Sequence, residues 1–153
     1  MASEKELVRY KNFFEKELHE NILSYWMKYG VEKDGKGFYP AVDLDNKPVL
    51  SANKTCVLNA RILWTFAAAA KMYPGKGYEK VAHLAYKVII EDFEDKEHGG
   101  YFMELSATNE VVKDIKHTYA QAFVIYSLCK YYEFNPTDKV MNSIQKLFYF
   151  LDE

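Results

Sequence analysis

The chain has 153 residues, 49% of them hydrophobic and 27% charged, with a formal net charge of −2. This composition is typical of one globular domain, and it excludes a disordered chain, a strongly basic nucleic-acid-binding surface and an acidic tail. There is no run of about eighteen apolar residues, so no membrane span is predicted.

The N-terminus, MASEKELVRYK, is charged where a signal peptide would need an apolar core, so we expect a cytoplasmic protein. Cys56 and Cys129 both lie in predicted buried helices, where we interpret them as small core residues of a protein in a reducing compartment. The 25 aromatic residues, 13 Tyr, 10 Phe and 2 Trp, suit either a thick helical core or sugar-stacking walls.

The first predicted helix begins with a capping box of Ser3 and Glu6 and ends at Gly30. Its apolar residues recur at helical spacing and its opposite face carries Glu and Lys, which predicts an amphipathic helix in an outer layer. These apolar residues are Leu7, Phe14, Leu18, Ile22, Leu23 and Trp26.

A small β-hairpin is predicted next, from residues 37–43 and 47–49 around a polar turn. Asp43 and Asp45 lie in this hairpin, but the full spacing of a calcium-binding loop is absent. We therefore interpret them as solvated turn carboxylates.

Residues 54–71, KTCVLNARILWTFAAAAK, contain no Gly or Pro and are apolar almost all round, which predicts a buried helix. Arg61 lies in its middle, and burying an unpaired guanidinium costs several kcal/mol. A structural salt bridge would need an acidic residue on a neighbouring buried helix, and none occurs there before Glu133. We therefore predict that this helix lines a cavity and that Arg61 points into it.

The remaining predicted elements repeat this order. A second amphipathic helix spans residues 77–93, and a second hairpin follows from residues 101–105 and 111–112. Residues 115–133 form a second helix that is apolar nearly all round. Residues 135–138 cap a last amphipathic helix, with Pro136 expected at its first helical position.

The two halves also align at an offset near 62, which indicates an internal repeat. The matching pairs are Lys54 and Lys116, Asn59 and Gln121, Ala60 and Ala122, Leu63 and Ile125, and Trp64 and Tyr126. Such helical hairpins stack side by side into a solenoid or an α/α toroid. We predict an all-α fold, a partial (α/α)6 toroid with small β-hairpins at its mouth.

The domain prediction is one incomplete α/α-barrel domain over residues 1–153. Repeat one spans 1–72, repeat two spans 73–134, and 135–153 begin a third. An open barrel edge would expose apolar surface, so we expect oligomers or poor solubility, through self-association or through binding a completing chain.

The sequence resembles the N-terminal part of the N-acylglucosamine 2-epimerase superfamily, and within it the cellobiose 2-epimerase-like members. The resemblance covers essentially all of this chain and well under half of a typical member. It is carried by Gly37-Phe38-Tyr39 with Asp43, by the segment Leu58 to Phe66 (LNARILWTF), by Gly99-Gly100-Tyr101 and by the segment Lys116 to Phe123 (KHTYAQAF).

The resemblance implies an (α/α)6 barrel that acts on a reducing-end aldose without a cofactor. Its enzymes remove the proton next to the carbonyl, and histidines return it on either face. Arg61 would then be the positive group near the enediolate oxygen, and Tyr119 would line the same pocket. The family's catalytic histidines come from later repeats, and nothing in this chain matches them.

The five weaker substrate-binding candidates, Asn59, Trp64, Lys116, His117 and Gln121, are each paired with a structural alternative. For Asn59 and Gln121, bonding to neighbouring backbone is favoured. Lys116 is expected to cap the preceding hairpin, and Trp64 and Tyr126 are expected to belong to the core.

The four histidines are also assigned mainly structural roles. His19 and His83 are expected at the surface or in a satisfied interface, and His98 in a turn. His117 is a weak binding candidate that more readily caps a helix or lines the mouth. No pair among them has metal-ligand spacing with a carboxylate companion, so no metal site is predicted.

Three hypotheses about function follow. The first is the N-terminal part of a sugar epimerase, which would be inactive in isolation. The second is a non-catalytic helical-repeat fragment or a split-enzyme subunit, which the downstream reading frame would discriminate. The third, another α/α toroid enzyme such as a glycoside hydrolase, ranks last because the inner helices carry no suitable carboxylate pair.

Overall fold

A computed structural model describes residues 3–152 of the protein. The helices are α1 (Glu4–Lys16), α2 (Cys56–Met72), α3 (Tyr78–Val88), α4 (Thr118–Phe134) and α5 (Asp138–Asp152). The strands are β1 (Lys54–Thr55), β2 (Glu104–Leu105) and β3 (Val111–Lys113). π-helical segments prolong two helices: Glu17–Leu23 and Trp26–Gly30 follow α1, and Ile89–Phe93 follows α3.

The helices form two layers. Helices α2 and α4 pack side by side as an inner pair, while α3 packs mainly on α2 and α5 packs on α4. Each of these outer helices therefore rests on the inner helix that precedes it in the chain. The core between the layers is apolar, and its fully buried side chains include Leu63, Phe66, Phe93, Leu128 and Leu147.

The first helix confirms its predicted ends. Ser3 and Glu6 form the capping box, and the last π-helical segment ends at Gly30. A Cβ at Gly30 would lie 2.7 Å from Trp26 Cε3, so the tryptophan ring packs on the bare glycine. Helix α1 itself buries no residue. Its apolar side chains lack a neighbouring element to cover them among residues 3–152.

The inner helices differ from their predicted start points. Helix α2 begins at Cys56, because Lys54 and Thr55 form strand β1, which pairs antiparallel with β2. The side chain of Thr55 then caps α2 by accepting a hydrogen bond from Leu58 N. Helix α4 begins at Thr118 with His117 as its N-cap. Sequence periodicity does not detect a two-residue strand whose partner lies 50 residues away.

The second hairpin forms as predicted. Strands β2 and β3 pair antiparallel and, with β1, make a three-stranded sheet of order β1-β2-β3. The first hairpin is held by isolated bridges, including Val42 with Pro48. Asp43 Oδ1 accepts hydrogen bonds from the backbone of Asp45 and Lys47, at 2.9 and 2.8 Å. The carboxylate of Asp43 is thus a turn-forming group, as expected from the incomplete calcium-loop spacing.

The prediction that both inner helices are buried all round is wrong. Arg61 and Met72 are exposed on α2, and Tyr119, Tyr126 and Cys129 are exposed on α4. We call the side of α2 and α4 that lies away from α3 and α5 the open face. It is apolar in sequence but uncovered within the described residues, so composition alone overestimated its burial.

The two cysteines have different surroundings. Cys56 is 0% exposed, and burial raises the pKa of its thiol to about 12. Cys129 is exposed, which corrects the prediction that it belongs to the core. Burial of part of its side chain, and then Glu133, also raise the pKa of the Cys129 thiol.

We expect one thiol to react with a disulfide reagent in the folded chain at pH 8. The thiolate is the reactive form, and Cys56 is both inaccessible and protonated at that pH. The measurement is titration with Ellman's reagent before and after adding denaturant. Cys129→Ser should abolish the native reaction and leave one thiol that reacts after unfolding. Two reactive thiols in the folded wild-type chain would contradict this assignment.

Candidate functional site: the open face of the inner helices

Arg61 projects from the middle of α2 and is exposed. It borders a hollow of about 240 Å³ whose other lining residues are Trp26, Leu58, Ile62, Thr65 and Phe66. Among residues 3–152, no carboxylate lies within 4.0 Å of the guanidinium, and no side-chain hydrogen bond involves it. The cation therefore has all of its donors available to a ligand in the hollow.

Tyr119 lies in the first turn of α4, the neighbouring inner helix, and is 57% exposed. Its ring meets Phe123 edge-on at a centroid distance of 4.9 Å and lies 6.4 Å from the His117 ring. The structure thus places Tyr119 and Arg61 on exposed positions of adjacent inner helices.

Trp64 and Tyr126 stack with ring centroids 5.4 Å apart and an interplanar angle of 10°. Lys130 Nζ lies 5.6 Å from the centroid of the Trp64 ring. Tyr126 is 52% exposed and borders a second hollow of about 370 Å³ with Ala122 and Phe123. The stack joins α2 to α4, and Tyr126 differs from the expected core residue because one side of its ring is open.

Asn59 and Gln121 lie behind the open face, at 1% and 0% exposure. Gln121 makes two hydrogen bonds with the backbone of Tyr101, accepting from its N at 2.9 Å and donating to its O at 2.7 Å. Asn59 is one methylene shorter and donates to Thr55 O at 2.9 Å instead. Both amides bond to backbone, the structural alternative that the sequence favoured, and neither is exposed to a ligand.

Two equivalent lysines anchor the hairpins at the mouth. Lys54, which is 3% exposed, lies 2.7 Å from Glu32 Oε1 and donates to Asn109 Oδ1 at 2.9 Å. Lys116 donates to Asp95 Oδ2 at 2.7 Å. Each lysine therefore pairs with a carboxylate that lies five residues before a glycine followed by an aromatic residue. Glu32 precedes Gly37-Phe38 in the first repeat, and Asp95 precedes Gly100-Tyr101 in the second. For Lys116 this is the hairpin-capping role, and its Nζ is occupied by protein.

Asp95 also accepts backbone hydrogen bonds from Glu97 and His98, both at 3.0 Å. Lys116 first, and then these amides, lower the pKa of the Asp95 carboxyl far below its ordinary value. The charged carboxylate therefore stabilises the fold above the unfolded-state pKa of about 3.9, and this contribution is lost as the pH falls towards the native pKa.

Asp95→Asn should lower the urea midpoint of unfolding at pH 7, and the difference from wild type should shrink below about pH 4. Urea unfolding followed by circular dichroism at pH 7, 5 and 3 measures this difference in midpoint. Asp45→Asn is the matched control, because Asp45 is an exposed turn carboxylate, and its effect should be small throughout. If the urea midpoint of Asp95→Asn lies below that of wild type by the same amount from pH 7 to pH 3, the carboxylate charge is not the cause of the destabilisation.

The histidines take structural positions. His19 Nδ1 lies 2.7 Å from the Tyr78 hydroxyl, and His83 Nδ1 lies 2.6 Å from the Tyr131 hydroxyl. His98 lies in the turn near Asp95, and its side chain is 74% exposed. His117 Nδ1 accepts from Tyr119 N at 3.2 Å and caps α4. Within residues 3–152, no group of three or more His, Cys, Asp or Glu residues is arranged to hold a metal ion.

Sequence reasoning missed three residues of this surface: Trp26, Phe123 and Lys130. Trp26 was identified only as an apolar residue of the first helix, whereas it is 36% exposed and lines the Arg61 hollow. Phe123 lies 62 positions after Arg61, so extending the repeat alignment by one pair would have placed it on the open face.

The model of the N-acylglucosamine 2-epimerase (GlcNAc 2-epimerase) family matches residues 37–153. The chain belongs to this family. A cellobiose 2-epimerase of Bacteroides fragilis is 35% identical over 122 residues, which are 80% of this chain and 31% of that enzyme.

Solved structures agree. The cellobiose 2-epimerase of Bacillus thermoamylovorans B4167 superimposes with a TM-score of 0.88 at 28% identity, over 94% of this chain and 37% of that one. For the enzyme of Spirochaeta thermophila DSM 6192 the TM-score is 0.90 at 25% identity, over 97% and 37%. The expected partial (α/α)6 barrel is confirmed, and this family member spans about a third of the length of the relatives it matches.

The family assignment accounts for the two-layer arrangement. In an (α/α)6 barrel the inner helices surround a central cavity, so the open face of α2 and α4 is a segment of that cavity wall. Within residues 3–152, none of the helices combines the length and hydropathy that crossing a bilayer requires.

Proposed function

We propose that this chain supplies the N-terminal part of the active-site wall of a sugar 2-epimerase. The substrate class is a reducing-end aldose of the cellobiose or N-acylglucosamine type, in its open-chain form. Relatives named as cellobiose 2-epimerases support the sugar-epimerase assignment. The choice of sugar and the residue roles given below are part of the proposal.

The reaction requires removal of the proton from C2, next to the C1 carbonyl, and its return on the opposite face. As the C2–H bond breaks, its electron pair forms the C1–C2 double bond, and negative charge develops on the carbonyl oxygen. A guanidinium beside that oxygen stabilises the charge, because it is positive at every working pH and presents several donors. Arg61 fills this role. Tyr119 packs against or hydrogen-bonds to the same sugar, and the acid and base come from elsewhere in the barrel.

The observation that carries the proposal is the environment of the Arg61 guanidinium. Its guanidinium borders a hollow on the cavity wall, and no carboxylate among residues 3–152 pairs with it. Lys54 and Lys116, by contrast, are held by ion pairs with Glu32 and Asp95. The donors of Arg61 are therefore free for charge-assisted hydrogen bonds to a ligand.

The isolated chain should not convert cellobiose, glucose or N-acetylglucosamine, because it carries no counterpart of the family's catalytic histidines. A chimera supplies them: this chain replaces the matched part of the Bacteroides fragilis cellobiose 2-epimerase. We expect this chimera to epimerise cellobiose, measured by chromatographic separation of the product. Turnover by the isolated chain would refute the first expectation. A folded but inactive chimera would refute the second.

The second candidate function is a non-catalytic helical-repeat fragment or a split-enzyme subunit completed by another chain. The exposed apolar residues of α1 and α4 favour it, since such surfaces bind other helices. The chimera separates the first candidate from the non-catalytic fragment, because a remnant that has lost its catalytic wall would fold there without supporting turnover. A split-enzyme subunit would support turnover in the chimera.

A further inference from the structure

The two repeats join their outer helix to the following hairpin in the same way. Val31 forms an antiparallel bridge with Phe38, and their counterparts in the second repeat, Glu94 and Tyr101, form another. In both bridges the two hydrogen bonds are made by the residues on either side of Phe38 or Tyr101. The backbone N and O of Phe38 and of Tyr101 therefore point away from the bridge and need other partners.

The second repeat satisfies these two backbone groups directly. Gln121 Oε1 accepts from Tyr101 N at 2.9 Å, and Gln121 Nε2 donates to Tyr101 O at 2.7 Å. Tyr101 and Gln121 are 3% and 0% exposed, so the contact is enclosed. Both ends of one amide from the inner helix thus pair with one peptide unit of the hairpin segment.

The first repeat has a shorter amide at the same position. Asn59 Nδ2 donates to Thr55 O at 2.9 Å, and because that oxygen can only accept, the amide orientation is fixed. Asn59 Oδ1 is buried, and among residues 3–152 it has no hydrogen-bond partner. Phe38 is 2% exposed, and in the same part of the chain neither its N nor its O bonds to protein. Three buried polar groups are therefore unpaired where the second repeat pairs their counterparts, although such groups are normally satisfied.

The chemistry of these three groups selects their partner. Asn59 Oδ1 and Phe38 O are acceptors and Phe38 N is a donor, so the partner must both donate and accept. A cation does not suit the N–H group, and an anion does not suit the two oxygens. The methylene by which Asn59 is shorter than Gln121 is comparable in size to one water molecule, whose share of liquid volume is about 30 Å³. Buried waters typically make about three hydrogen bonds, which is the number offered here.

We propose that Asn59 Oδ1 and the backbone N and O of Phe38 bind one internal water molecule, which takes the place of the terminal amide of Gln121 in the second repeat. The water donates to the two oxygens and accepts from Phe38 N. It links the first turn of α2 to the hairpin segment at the mouth. All three groups are enclosed by residues of this chain, so the site does not depend on the role proposed for Arg61.

A high-resolution crystal structure of the chain tests the site. We expect an ordered water within about 2.7–3.2 Å of all three groups, and no water between Gln121 and Tyr101. In Asn59→Gln the longer amide should bond to Phe38 directly and displace the water. In Gln121→Asn a second water should appear beside Tyr101. Absence of a water at Asn59 Oδ1 in the wild-type structure, or a water retained there in Asn59→Gln, would overturn the proposal.

Urea unfolding provides a second measurement that needs no crystal. Asn59→Gln should keep at least the wild-type midpoint, because direct hydrogen bonds replace water-mediated ones. Asn59→Leu has a similar shape but cannot hydrogen-bond, so its midpoint should fall. Asn142→Gln is the matched control at an exposed position of α5, and its midpoint should equal that of wild type. A midpoint of Asn59→Gln as low as that of Asn59→Leu would contradict the proposal, because the longer amide would then have no space at Phe38.

Discussion

Replacing Arg61 with glutamine in the chimera should lower kcat for cellobiose epimerisation by about 10²- to 10³-fold, with a smaller change in KM. The reason is that the guanidinium is proposed to act on charge that develops only in the transition state, where removal of one donor typically has this effect. Arg61→Lys should have a kcat between those of the parent chimera and Arg61→Gln, because it keeps a positive charge but loses the planar fork of donors.

The chain offers a matched control, because its other arginine, Arg9, is exposed on α1. Arg9→Gln should leave kcat within about twofold of the parent. Arg61→Gln should also change the free energy of unfolding by no more than about 0.5 kcal/mol, since the guanidinium has no ion-pair partner among residues 3–152. A folded Arg61→Gln chimera as active as Arg9→Gln would remove Arg61 from the reaction.

Lys54→Met should destabilise the isolated chain by about 3–5 kcal/mol, the largest stability effect that we expect. Lys54 is buried, and its ammonium joins Glu32 from the first hairpin region to Asn109 in the turn of the second. Removing it leaves the Glu32 carboxylate, whose side chain is 16% exposed, without its partner. Urea unfolding followed by circular dichroism measures the loss.

Two further variants separate charge from packing. Lys71→Met breaks a bridge to Glu133 whose side chains are 51% and 47% exposed, so its cost should stay below about 1 kcal/mol. Glu32→Gln combined with Lys54→Met should recover part of the loss, because it removes the unpaired charge. Equal destabilisation by Lys54→Met and Lys71→Met would mean that the buried pair contributes no more than a surface bridge.

The family, the repeat and most element types could be predicted from local information. The capping box of Ser3 and Glu6 and the hairpin turn at Asp43 each depend on residues a few positions apart. The offset of 62 predicted equivalent roles for Lys54 and Lys116, and each forms an ion pair near the hairpins, with Glu32 and Asp95 respectively. The position of Arg61 in an otherwise apolar helix directed attention to the surface where a hollow is found.

Exposure could not be predicted in the same way. Cys129 and Tyr126 lie in a helix that is apolar on every side, so its periodicity does not say which side meets solvent. The exposure of the apolar side chains of α1 has the same origin, since an amphipathic helix specifies an apolar face but not what covers it. Strand β1 was missed because its pairing partner lies about 50 residues further along the chain.

By itself, the sequence determined the order of helices and hairpins, that two such units repeat, and that a charged residue interrupts an otherwise apolar helix. These properties depend on neighbours within a few residues or on a fixed offset. The tertiary structure alone decided that Gln121 hydrogen-bonds to the Tyr101 backbone, that Lys54 joins Glu32 to Asn109, and that Tyr126 and Cys129 are exposed. Such features depend on which segments meet across the fold, because burial is set by neighbours in space.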